Sequence, residues 1–213
     1  VRVKICGVTR AEDAREAGDR GAWAVGLILS GRGPRALDRE RAARVRRAIP
    51  PGVLAVGVFV DQDPDEVGAT VHDLGLDLVQ LHGEEPPAVM AALPVPAIKA
   101  FPVDAVSGKA PGAASVSRYS GAFGALFDTK VAKVTGGTGK TFDWSLLDDP
   151  ALRAALPSGR LVLAGGLSPA NVADAVRRVK PFAVDVSSGV EASPGAKDPS
   201  KLAAFFFALR SVA

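Results

Sequence analysis

The sequence is poor in the residues that disulfide and metal chemistry require. It holds one cysteine, Cys6, and two histidines in 213 residues. A single cysteine excludes an internal disulfide, and with two histidines it leaves no zinc cluster of the usual spacing. No apolar run is long enough to cross a bilayer, and no signal-peptide pattern is present. A surplus of one charge is missing too. The 26 basic and 23 acidic residues leave +3, too little to argue for a nucleic-acid partner but suited to a small anionic ligand. These absences predict a protein that binds neither nucleic acid nor membrane and works in a reducing, cytoplasmic setting.

What is present is a regular alternation. Apolar runs of strand character fall at Val1–Cys6, Trp23–Leu29, Leu54–Val60, Leu78–Leu81, Ala97–Phe101, Gly124–Phe127, Leu161–Ala164 and Phe182–Val186. Helical stretches separate them. Thr9 and Glu12 have capping-box spacing before Ala14 and Ala17. Asp38 caps a helix with Ala42, Val45 and Ile49 inward, and Asp63-Pro64 opens another with Val67, Val71 and Leu74 inward. A fourth starts near Pro86, the stretch 102–120 is weak, and one from Asp143 is stopped or broken by Pro150. Ser168 and Pro169 start a helix that buries Val172, Ala175, Val176 and Val179. Asp198-Pro199 starts the last, with Leu202, Phe205, Phe206 and Leu209 inward.

Eight strands alternating with helices, without a composition break, predict one parallel α/β domain over residues 1–213. An open doubly wound sheet fits that alternation as well. The chain is slightly short for a (β/α)8 barrel of about 250 residues, so a barrel here has minimal insertions. The ends of the last two strands favour the closed barrel. One finishes in Gly165-Gly166 and the next in Ser187-Ser188-Gly189, small residues whose backbone N–H groups are open to an anion. In such barrels the loops after strands seven and eight commonly hold a phosphate.

Other motifs do not carry function. Gly137-Thr138-Gly139-Lys140-Thr141 ends like a P-loop, but Val134 stands where that motif needs glycine. Gly31-Arg32-Gly33 lacks the acid of a dinucleotide fingerprint. Arg39, Arg41, Arg44, Arg46 and Arg47 read as a solvated helix face. Cys6, followed by Gly7, and Asp128 stand at strand ends, the catalytic face of a barrel. A lone cysteine is more often an inert core residue and a strand-end aspartate more often a cap. Together, though, a thiol and an acid across a barrel form an acid–base pair.

Six motifs in order, Lys4-Ile5-Cys6-Gly7-Val8-Thr9, Gln80-Leu81-His82-Gly83, Phe127-Asp128-Thr129, Gly136 through Trp144, Ala164-Gly165-Gly166-Leu167 and Asp185 through Glu191, resemble phosphoribosylanthranilate isomerase across nearly the whole chain. The resemblance implies a cofactor-free Amadori rearrangement of a small phosphoribosyl substrate in tryptophan biosynthesis. It assigns Asp128 as general acid, Cys6 as thiolate base, Arg35 as partner of the anthranilate carboxylate, and His82 as a hydrogen-bonding residue lining the site. The small-residue ends of strands seven and eight, Gly165, Gly166, Ser187, Ser188 and Gly189, are expected to hold the substrate's phosphate. A loop at 129–135 is expected to close over the substrate. The competing readings are another phosphosugar barrel enzyme and a catalytically silent phosphosugar-binding barrel. Phe205-Phe206-Phe207 cannot all be buried by one helical face, so Phe207 at the surface points to a homodimer contact.

Overall fold

The computed structural model describes residues 1–31, 33–130 and 141–212, with Lys130 by its backbone alone. Eight parallel strands close on themselves in sequence order: β1 (Arg2–Cys6), β2 (Ala24–Ile28), β3 (Leu54–Phe59), β4 (Leu78–Leu81), β5 (Ala97–Asp104), β6 (Gly124–Lys130), β7 (Leu161–Leu163) and β8 (Ala183–Val186). β8 pairs back with β1, Lys4 lying opposite Asp185. The helices between them are α1 (Ala11–Asp19), α2 (Arg39–Ala48), α3 (Pro64–Leu74), α4 (Pro87–Ala92), α5 (Ala113–Ser117), α6 (Pro150–Ala154) and α7 (Val172–Val179), and α8 (Pro199–Arg210) ends the chain. The (β/α)8 barrel is therefore present and the open sheet is not.

The period of two along each strand sorts its residues. Val3, Ile5, Val25, Leu27, Val79, Leu81, Phe127, Val184 and Val186 face outward into the large core under the helices. Their neighbours face the barrel interior, where Ala24, Val56, Leu78, Ile98, Leu126, Val162 and Ala183 form a second, smaller core. Trp23, Phe123 and Phe182 stand just before β2, β6 and β8 and pack together beneath it, with ring centroids 5.7–6.0 Å apart. They close the N-terminal mouth, so the polar residues gather at the other.

Several local expectations are corrected. Thr9 does not cap α1; its hydroxyl donates to Gly195 O at 2.6 Å, and Arg10 takes the N-cap position without a side-chain bond. Ser168 does not cap α7. The helix starts at Val172 after Asn171, whose Oδ1 accepts from Ser168 N–H while its Nδ2 donates to Gly166 O. The Asn171 amide gives that turn both a donor and an acceptor, which a serine hydroxyl at 168 cannot match across the same span. From Asp143 the chain makes one 3-10 turn, Trp144–Leu147, and α6 begins separately at Pro150 under an Asp149 cap. Phe205 is buried and Phe206 only partly so. A hairpin not foreseen, β9 (Glu191–Ser193) with β10 (Ala196–Lys197), follows β8. The caps at Asp38, Asp63 and Asp198 are as expected. The Gly136–Lys140 motif, Val134 and residues 131–135 of the expected closing loop lie outside the described residues.

Candidate active site

The strand parity that buries valines outside the barrel turns Lys4, Cys6, Gln80, His82, Asp128 and Asp185 into its C-terminal mouth. β6 runs past Phe127 to Lys130, so Asp128 belongs to the strand rather than following it. This keeps its side chain in the inward register. Cys6 lies opposite Gly26 on β2. A methyl group on Gly26 would come within 2.8 Å of Cys6 Sγ and 3.1 Å of Lys4 Nζ. Glycine at that position thus makes room for both.

Asp128 and His82 meet across the mouth, His82 Nε2 lying 3.5 Å from Asp128 Oδ2, each about one-third exposed. Gln80 Nε2 is 2.8 Å from His82 Nδ1. With that amide donating, Nδ1 accepts and the ring proton sits on Nε2, facing Asp128. On the opposite wall Lys4 Nζ donates to both oxygens of Asp185, at 3.0 and 3.1 Å, with the lysine fully buried. Cys6 is buried as well. Burial pushes its thiol above the ordinary value and the Asp185 carboxylate adds to this, while Lys4 and Lys197 pull it down. Positive charge is present beside the thiol, but burial outweighs it. Asp185 is raised by burial, and for Lys4 the burial penalty is outweighed by Asp185 and Cys6.

Arg35 lies over Gly7, its Cδ 2.9 Å from where a Gly7 Cβ would stand; Gly7 has φ +68. Its guanidinium forks onto Glu191, Nε to Oε1 at 2.9 Å and Nη2 to Oε2 at 2.6 Å. Glu191 Oε1 also accepts from Lys197 Nζ at 2.9 Å, and Lys197 Nζ reaches Ser187 O at 3.2 Å. Arg35 is thus at the thiol's corner, but one edge of it is already engaged inside the protein.

The two glycine-rich strand ends come together. A Gly165 Cβ would meet Thr129 Oγ1 and a Gly189 Cβ would meet Leu167 O, both far inside contact distance. Gly165 and Gly166 have φ +85 and +66. Only glycine lets these loops pack so closely, and Ser188–Val190 follows as a 3-10 turn whose first N–H groups have no partner within the turn. Gln80 Oε1, Thr129 Oγ1 and Ser187 Oγ are buried without a hydrogen-bond partner around this mouth, which is unusual unless a polar ligand meets them. Among the described residues, no three of His, Cys, Asp and Glu assemble a metal site. Lys4, Gly26, Asp185, Glu191 and Lys197 were not foreseen as site residues. For the two strand charges the signal was their inward parity, a lysine and an aspartate each flanked by outward-facing apolar residues.

A family model for N-(5'-phosphoribosyl)anthranilate (PRA) isomerase matches residues 3–208. The N-(5'-phosphoribosyl)anthranilate isomerase of Pseudomonas aeruginosa is 46% identical over 214 residues, covering 99% of this chain and 96% of its own. Among solved structures, phosphoribosyl anthranilate isomerase from Thermotoga maritima superposes with a TM-score of 0.87 at 41% identity, covering 99% of each chain. A structure of the same enzyme type in complex with reduced 1-(o-carboxyphenylamino)-1-deoxyribulose 5-phosphate gives 0.84 at 38% identity, again over 99% of each chain. On its sequence, its barrel and its order of strand-end motifs, this chain belongs to the phosphoribosylanthranilate isomerase family.

Proposed function

We propose that Cys6 and Asp128 are the general base and general acid of the family's reaction, an Amadori rearrangement in tryptophan biosynthesis. The chain is an isomerase of that pathway; the roles are our reading. N-(5'-phosphoribosyl)anthranilate becomes 1-(2-carboxyphenylamino)-1-deoxyribulose 5-phosphate. Asp128 gives a proton to the furanose oxygen, the C1–O bond breaks, and the anilino nitrogen's lone pair forms the iminium. That cation acidifies the C2 proton, which Cys6 removes as thiolate. The resulting enolamine takes a proton at C1 and gives up the proton of its C2 hydroxyl, becoming the ketone. The observation that supports this reading is the placement of Cys6 and Asp128 on β1 and β6, both turned inward at one mouth by strand parity.

The remaining groups fit the substrate's two anionic ends. Gly165, Gly166, Ser187, Ser188 and Gly189 take the phosphate through backbone N–H groups and the unpartnered Ser187 hydroxyl. Arg35 takes the anthranilate carboxylate, and His82 holds Asp128 in place. The iminium supplies the electron sink, so the proposed chemistry runs without a cofactor. The chain acts as one catalytic domain over residues 1–213. Among the described residues no helix is long and apolar enough to cross a membrane, and we place the enzyme in the cytoplasm. It assembles as a homodimer, a state named for the Thermotoga maritima relative. Phe207 at the surface of α8 is the contact.

The test follows the fluorescence decay of phosphoribosylanthranilate generated in situ. Cys6→Ser and Asp128→Asn keep shape while removing the base and the acid, and each should lower kcat by about 10²–10⁴. A folded Cys6→Ser protein turning over at the unaltered rate would assign the C2 proton to another group.

A further inference from the structure

Lys4 is a fully buried cation in the floor of the barrel mouth. Stability alone gives little reason for it, because a buried ion pair is often matched or bettered by apolar side chains of similar size. Its surroundings give a chemical reason. Asp185 takes two of the ammonium's three N–H groups. Lys4 Nζ and Cys6 Sγ crowd the same hydrogen of Gly26, which puts the ammonium beside the sulfur with one N–H left to offer.

We propose that Lys4 is a positioning residue for the base: held by Asp185, its ammonium stabilises the Cys6 thiolate, and Asp185 sets how much of that charge the sulfur feels. This rests on the reading of Cys6 as the base. Four elements bring charge to the sulfur. Lys4 comes from β1 and Asp185 from β8. Arg35 comes from the loop after β2, lying over Gly7, and Lys197 from β10, bonded to Ser187 O. His82 and Asp128 act on it from across the mouth through Asp185. Arg35 and Lys197 share Glu191, so their charge is partly neutralised. Lys4 is the cation that shares the space beside Gly26 with the sulfur.

Cys6 is the only cysteine in the chain, so the pH dependence of alkylation by iodoacetamide, a neutral reagent, reads one thiol directly. Lys4→Met should move the midpoint up by about one pH unit and slow alkylation at neutral pH about tenfold. Asp185→Asn should move it down, because a like charge is removed. A merely structural role for the pair would not give opposite signs, and shifts of one sign or none would overturn the proposal. Should either variant fail to fold, the unaltered chain carries the test. The 15Nζ signal of Lys4 should titrate with the alkylation midpoint and lose that titration once Cys6 is carbamidomethylated. A Lys4 signal indifferent to both would equally overturn it. These measurements involve no turnover. A Cys6→Ser variant with full kcat would sink the base assignment while leaving the alkylation shifts as they are.

Discussion

Arg35 carries the residue-scale question of how a side chain engaged by the protein also serves a ligand. A guanidinium holds five N–H donors in a rigid plane. Glu191 occupies the edge formed by Nε and Nη2, and the edge formed by Nη1 and Nη2 stays available for a second carboxylate. Glu191 therefore fixes the plane in which the remaining donors point. Arg35→Ala should cost about 2 kcal/mol of productive binding, as for loss of a charged hydrogen-bonding partner, or roughly thirtyfold in kcat/KM. Arg35→Lys should restore only part of it, since an ammonium cannot present a planar pair of donors. Stability should change little, because Glu191 keeps Lys197. Unaltered kinetics in both variants would leave Arg35 as a structural partner of Glu191 alone. The sequence marked Cys6 and Asp128 by their strand-end positions. Glu191, 156 positions away from Arg35 in the chain, could not be paired with it from local spacing.

At the scale of elements, the loop after β4 shows what keeps His82 in place. Glu85 is buried and accepts from Lys99 Nζ at 2.7 Å, from Gly83 N–H at 3.0 Å and from Asp61 N–H at 3.0 Å. Its backbone carbonyl accepts from Tyr119 Oη at 2.9 Å. One carboxylate thus joins the loops after β3 and β4 to β5. Glu85→Gln leaves the Lys99 ammonium buried without its counter-charge and should cost about 3–5 kcal/mol in urea unfolding near neutral pH. Burial alone would raise the Glu85 carboxyl, but Lys99 and the backbone donors outweigh it and hold it below the ordinary value. A folded-state value below the unfolded one means that the stabilisation is full above about pH 4.3. It is lost as pH falls through the folded value. The difference between the unaltered chain and Glu85→Gln should therefore be constant from neutral pH down to about 5 and shrink below about 4. A difference that stays constant into acid would mean that the carboxylate's charge contributes nothing.

At the scale of the molecule, α8 faces outward with an apolar residue. Phe207 is 71% exposed, whereas Phe205 is fully buried. Beside it, Phe206, Phe207, Ala204 and Ala173 of α7 line a groove of about 840 Å³. A large exposed aromatic next to a groove favours a self-complementary contact, which two copies related by a two-fold axis make twice. Sedimentation at micromolar concentration should show a dimer that Phe207→Ser converts to monomer. A monomer unchanged by that substitution would remove α8 as the contact.

The sequence by itself determined the eight-fold strand–helix alternation, the caps of α2, α3 and α8, the glycine-rich ends of β7 and β8, and the family. Each of these is local. A cap needs a side chain within three residues of the N–H it meets, and a strand or helix shows in a period of two or 3.6. Tertiary structure decided what depends on closure. Lys4 and Asp185 lie 181 residues apart and become partners only because β8 pairs with β1. Gly26 reads as an ordinary strand glycine until Cys6 Sγ and Lys4 Nζ fill the space beside it. The direction of the Cys6 thiol was decided there too. Lys4 stands two residues from Cys6 in the chain, but the desolvation that outweighs its charge comes from a barrel closed around the sulfur, and no local pattern encodes that.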